Sequence, residues 1–151
     1  EIEPDRAETF SRNAALYKKK LKSLDEEYRK GLEFCDQRTI VLAGHSAFGY
    51  LARRYDLKQI SLYGLSPDSK PSPNELIKII RFIKEENIKT IYYELSVSHE
   101  LGEVIARETG ARTLMLNPGA SLPPHQEDSS ISFLSIMEKN LESLRDGLRC
   151  R

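Results

Sequence analysis

The chain has 151 residues and a mass of 17.3 kDa. That is enough for one domain burying roughly 68–70% of its unfolded surface, and too little for a second of ordinary size. Its hydrophobic share of 39%, with 8 glycines besides, lies near the globular norm of roughly 45–50% and excludes wholesale disorder. Lys and Arg total 23 against 23 Asp and Glu, so no surplus of positive charge favours a phosphate backbone or anionic lipid, and nucleic acid is not an expected partner.

No apolar run approaches the roughly 20 residues that span a bilayer, and the charged opening EIEPDRAETF lacks a signal-peptide core. The chain reads as soluble, either a mature product or an excised piece of something longer. The first element is one long amphipathic helix. Ala7, Phe10, Ala14, Tyr17, Leu21, Leu24, Tyr28 and Leu32 recur at steps of three or four, with Lys, Arg and Glu between them.

After Cys35 the pattern changes to short β-rich runs, each followed by a helical stretch. The runs Thr39–Ala43, Gln59–Tyr63, Lys89–Tyr93 and Thr113–Leu116 alternate with helical patterns at Ala47–Tyr55, Pro73–Asn87 and His99–Thr109, and a last helix runs from about Ile131 to Leu148. Such alternation predicts an α/β fold: a four-stranded parallel sheet with flanking helices, in the order βαβαβαβα, preceded by the long helix. Ser72-Pro73-Asn74-Glu75 carries the residues of a capping box with proline in the first turn. Leu76, Ile79, Ile80 and Ile83 form one buried stripe, and Leu134, Met137, Leu141, Leu144 and Leu148 another. Leu65–Pro73 and Asn117–Ser130 read as loops from their Pro, Gly and Ser content.

In an open parallel sheet, ligands bind beyond the carboxyl ends of the strands. The residues there are Gly44-His45-Ser46, Gly64-Leu65-Ser66, Glu94-Leu95-Ser96 and Asn117-Pro118-Gly119. His45 stands between a strand and a helix expected to open near Ser46, whose dipole would favour the neutral, ligand-ready ring. Glu94 and Asn117 are the nearest candidate oxygen donors by strand position. The chain has only three histidines, none at i, i+4 spacing, and zinc normally takes three or four protein ligands, so no complete metal motif is present. His99 and His125 read as a helix-start and a loop residue.

A nucleophile elbow at Ser46 fails on register, since Phe48 occupies the place where that turn needs glycine. Its triad would have to draw on Asp68 or Asp128 and on His99 or His125. No glycine-rich phosphate loop follows any strand. The two cysteines, Cys35 and Cys150, have no CxxC spacing and are either unrelated thiols or one long-range bridge.

The run Gly44-His45-Ser46-Ala47-Phe48-Gly49-Tyr50-Leu51-Ala52-Arg53-Arg54-Tyr55-Asp56-Leu57 resembles the H-x-A-F-G-Y-x-A-x-x-Y-x-L segment of zinc-type solute-binding proteins of metal-ion ABC importers. Gly64-Leu65-Ser66-Pro67, Ile91-Tyr92-Tyr93-Glu94, Leu116-Asn117-Pro118 and Phe133–Leu141 continue the likeness in order to the chain end. The resemblance implies two α/β lobes joined by a rigid helix with the metal between them. Residues 1–35 would then be the connecting helix and 36–151 the carboxyl-terminal lobe, with the amino-terminal lobe absent. It implies no enzyme activity.

It implies that His45 is this lobe's ligand to Zn2+, with Mn2+ less favoured because imidazole suits zinc and carboxylate suits manganese. Asn117 stands where many members have an aspartate ligand, and Glu94 would support the site from behind. Lys70 departs from the acidic residue common there. The resemblance further implies a periplasmic or lipoprotein location, an ABC permease as partner and an adhesin-like relative as an alternative role. That oxidising setting favours a Cys35–Cys150 bridge, which some zinc-type members have in this lobe.

Overall fold

A computed structural model of the chain describes residues 3–62, 71–94, 100–119 and 131–151. After a 3-10 turn at Pro4–Arg6 come α1 (Ala7–Gly31), β1 (Thr39–Ala43), α2 (Gly49–Arg54), β2 (Lys58–Ser61), α3 (Pro73–Glu85), β3 (Thr90–Tyr93), α4 (Glu100–Thr109), β4 (Arg112–Met115) and α5 (Phe133–Leu148). The strands form one parallel sheet in the order β2-β1-β3-β4. The α/β expectation of four parallel strands behind a long helix therefore holds.

β1 is central, and after Thr39 every residue of it is buried, which is why it reads as an unbroken apolar run. Its side chains alternate between two cores. Ile40 and Leu42 pack with Leu24 and Tyr28 of α1, Leu32 just beyond it, Phe48 and Ala52 at α2, and Leu144 and Leu148 of α5. Val41 and Ala43 pack on the opposite face with Ile83 of α3 and Ile105 and Ala106 of α4. The result is three layers: α1, α2 and α5, then the sheet, then α3 and α4.

The Ser72 capping box forms as its residues predict: the hydroxyl accepts from the Glu75 amide while Glu75 Oε2 accepts from the Ser72 amide at 2.7 Å. A second, between Ser132 and Ser135, opens α5 at Phe133 rather than near Ile131. The helix after His45 also begins later than expected, at Gly49 instead of Ala47. Phe48 turns into the core there, 4% exposed, and its carbonyl accepts the Ala52 amide at 2.8 Å.

Among the described residues, α1 is anchored at its carboxyl end and not at its amino end. Every residue from Ala7 to Lys20 is exposed, including Phe10, Leu16 and Tyr17, whereas Leu24 and Tyr28 are buried. Tyr28 Oη donates to the Met137 carbonyl of α5 at 2.6 Å. Arg38 then gathers the carbonyls that the ends of α1 and α2 leave over: Leu32, Tyr55 (2.5 Å) and Asp56 (2.8 Å). Cys35 and Cys150 are joined by a disulfide across a short antiparallel bridge, where Arg151 N also donates to the Phe34 carbonyl at 2.9 Å.

Candidate functional site

The chain leaves β1 to reach β2 on one side and later returns to place β3 on the other, so the sheet's topological switch point lies between β1 and β3. Ligand crevices form at that point in open α/β sheets. His45 follows β1 and Glu94 follows β3, and the two meet there with His45 Nδ1 3.0 Å from Glu94 Oε2. The Glu94 side chain is fully buried and that of His45 is 28% exposed.

The contact is close in distance but not aligned as a hydrogen bond. Among the described residues His45 Nδ1 and both Glu94 carboxylate oxygens are buried without an aligned partner. A buried carboxylate in that state strongly prefers a nearby proton. Burial pushes the Glu94 carboxyl above its ordinary 4.5, opposed by the neighbouring His45. An ionised Glu94 favours the tautomer that carries its proton on Nδ1, leaving the Nε2 lone pair for a ligand.

Local sequence makes this pairing possible. Gly44 is buried against Glu94, and a Cβ there would collide with Oε1. Only glycine leaves room for the carboxylate beside the histidine. The helix dipole expected at His45 is not there: α2 opens four residues later, is six residues long, and the group facing the ring is Glu94.

Asn117 follows β4, on the far side of β3, and is 6% exposed. Its Oδ1 accepts the Gly119 amide at 2.8 Å, which closes a tight turn at Gly119 (φ +79°). Asn140 of α5 holds the same residue by its backbone, accepting from Asn117 N at 2.9 Å and donating to Asn117 O at 2.7 Å. Sequence reading missed Asn140, because one asparagine inside an amphipathic helix carries no sign of a partner 23 residues away.

The chemistry the described residues offer here is one imidazole nitrogen, that of His45, with a carboxylate behind it, the arrangement that orients metal-bound histidines where a metal is held. Among the described residues no three His, Cys, Asp or Glu side chains cluster closely enough to hold an ion. Ser46 makes no described hydrogen bond to a histidine or carboxylate. His99, His125, Asp68, Asp128 and Lys70 lie outside the described residues.

Comparison with known proteins is consistent across sequence and fold. Residues 1–147 match the family model described as zinc-uptake complex component A, periplasmic (ZnuA). The chain is 42% identical over 142 residues to the zinc-binding lipoprotein AdcA of Streptococcus pneumoniae R6, covering 94% of its own length and 28% of AdcA. It superposes on the Zn(II)-bound ZnuA-like domain of Streptococcus pneumoniae AdcA with a TM-score of 0.78 and 41% identity, covering 96% of this chain and 54% of that one. Against the laminin-binding protein Lmb of Streptococcus agalactiae, described as bifunctional with adhesin and metal transporting activity, the TM-score is 0.88 at 35% identity, with 97% and 55% covered. The chain thus spans about half of the solved structures it matches, and less of AdcA.

Proposed function

Because the chain belongs to the zinc-uptake complex component A family, we propose that it is the carboxyl-terminal lobe of an extracytoplasmic zinc-binding protein that hands the ion to an ABC permease. Residues 1–35, with α1 at their centre, are the segment that joins this lobe to an amino-terminal one, and residues 36–151 are the lobe itself. Zinc is cargo here, and no bond is made or broken in the protein's work.

The observation that carries the reading is the His45–Glu94 pair at the switch point, with Nδ1 3.0 Å from the buried carboxylate. A fully buried acid beside a partly exposed histidine has little structural return, since an apolar pair would fill the space without desolvating a charge. It has a clear return for a metal ligand, because the carboxylate fixes the ring and strengthens Nε2 as a donor. His45 is then the lobe's ligand and Glu94 its support. Asn117, whose Oδ1 accepts the Gly119 amide, has a neutral amide oxygen and is a weaker donor than a carboxylate. The remaining ligands come from the amino-terminal lobe.

Competition titration of the full-length protein against a zinc-chelating dye tests this. His45→Ala weakens zinc binding at least a hundredfold by removing an inner ligand that an already weak Asn117 cannot replace, on the order of 2.8 kcal/mol. His99→Ala and His125→Ala leave it within about twofold, under roughly 0.4 kcal/mol. Equal losses from all three would overturn the assignment of His45. A second role in adhesion is favoured by the likeness to Lmb, and retention of the full-length protein on immobilised laminin, against albumin, decides it.

A further inference from the structure

His45 sits in a connection held at one end by β1 and at the other by α2, a helix of six residues with no side-chain cap on Phe48. Such a helix has no independent stability, so its position is set by what it touches. Its amino-terminal end is pinned by Phe48 and Ala52 in the core. Its other end is held by polar contacts.

Arg38 takes the Tyr55 and Asp56 carbonyls there, and the side-chain contacts of that end converge on one carboxylate of α1. Asp25 accepts two bonds from Arg54, at 2.6 and 2.7 Å, a third from Tyr55 Oη at 2.9 Å, and a fourth from Arg29 at 3.2 Å. A carboxylate has about four acceptor sites, and all are used here. The two-pronged arginine fixes direction as well as distance. The Tyr55 ring also stacks on Tyr28 of α1, with centroids 4.9 Å apart.

Apolar packing shares this task without completing it, since Leu51 and Tyr55 are only partly buried against the core. Between α1, α2 and α5 lies a solvent-open groove of about 330 Å³ whose walls include Leu21, Leu51, Met137 and the exposed Tyr50 and Phe133. Along that groove the spacing between helices rests in part on the polar contacts at its edge.

We propose that Asp25 is a positioning residue for the metal-ligating His45: from the long helix it clamps the end of α2 and so sets the place of the turn that carries the ligand. This rests on the zinc reading above. It makes α1 an active part of the site rather than a tether, since a change in the pose of α1 is transmitted through Asp25 to α2 and on to residues 44–48.

The test uses the full-length protein, with zinc itself as the ligand and two readouts. Asp25→Ala lowers zinc affinity about tenfold, about 1.4 kcal/mol, and speeds amide exchange across residues 45–54 in the zinc-free protein. The exchanged pair Asp25→Arg with Arg54→Asp restores affinity to within about threefold, roughly 0.6 kcal/mol, which a loss of general stability would not do. Arg112→Ala, which breaks the exposed Arg112–Asp146 pair on the far edge of the sheet, changes neither readout.

Asp25→Asn, which keeps two acceptor lone pairs, serves if the alanine variant does not fold. Zinc affinity equal to the parent in both Asp25 variants, while His45→Ala loses it, would overturn the clamp and leave the zinc reading standing. Unchanged affinity in His45→Ala would remove the zinc reading, and the exchange at residues 45–54 then decides the clamp alone.

Discussion

Gly44→Ala is the smallest change that reaches the site. A Cβ at residue 44 would lie far inside normal contact distance of Glu94 Oε1 and only 3.1 Å from its Cδ. The carboxylate is fully buried and has nowhere to retreat, so it must turn away from His45 or force the strand ends apart. Overpacking of this kind costs about 1–3 kcal/mol, less the roughly 0.4–1 kcal/mol that alanine gains by restricting the unfolded chain. Removing Glu94 from Nδ1 should weaken metal binding about 10–100-fold, or about 1.4–2.8 kcal/mol.

Two other glycines separate these effects. Gly102→Ala brings a Cβ to 2.8 Å from the Ala43 Cβ on the opposite face of β1; it should destabilise as much while leaving zinc affinity within about twofold, roughly 0.4 kcal/mol. Gly49→Ala meets nothing within 4 Å and should stabilise by about 0.4–1 kcal/mol. Urea unfolding and zinc competition on all three variants of the full-length protein give the comparison. A Gly44→Ala protein that binds zinc as tightly as its parent would refute the coupling of Glu94 to the ligand.

The disulfide closes a loop between residues 115 apart, so in the chain-entropy model its loss costs up to about 5 kcal/mol. Unfolding of the Cys35→Ser, Cys150→Ser variant should begin at much lower urea, and a midpoint unmoved from the parent's would show that the bridge adds nothing. Asp25 gives a pH test with a definite sign. The Arg54 guanidinium holds its carboxyl well below its ordinary 3.8, against the opposing effect of partial burial. The stability it lends is therefore complete above that ordinary value and is lost as the pH falls towards the depressed one. The stability gap between parent and Asp25→Asn should narrow steadily on acidification below about pH 4, from the usual carboxylate range; a gap constant with pH would show that the charge of Asp25 is not what matters.

Much of this architecture is legible because it rests on local pattern. β1 announces itself by an unbroken apolar run, α3 by a serine and glutamate three apart, and His45 and Glu94 by standing where strands end. That the two residues touch is a matter of sheet order. Only the placement of β3 beside β1 brings them together, and nothing near either residue encodes that neighbourhood.

The start of α2 is not legible in the sequence for a related reason. Ser46-Ala47-Phe48 suits a helix on propensity, but burying Phe48 against the sheet requires the chain to turn first. Asp25, Arg38 and Asn140 were invisible as organisers, because a charged or amide side chain on an amphipathic helix or in a loop reads as solvated until its distant partners are known. The periodicity of α1 shows a stripe but not what covers it: Leu24 and Tyr28 are covered by this chain, whereas Phe10 and Tyr17 are not.

That one-ended anchorage gives α1 the mechanics of a lever. From Lys20 back to Ala7 the exposed portion extends about 21 Å at 1.5 Å per residue. A tilt of about 10° at the anchored turns would carry the free end through roughly 4 Å over that length. The fulcrum is the small group of contacts around Leu24, Tyr28 and Asp25, so a few tenths of an ångström of repacking there is magnified into a displacement large enough to make or break contacts for whatever the far end carries.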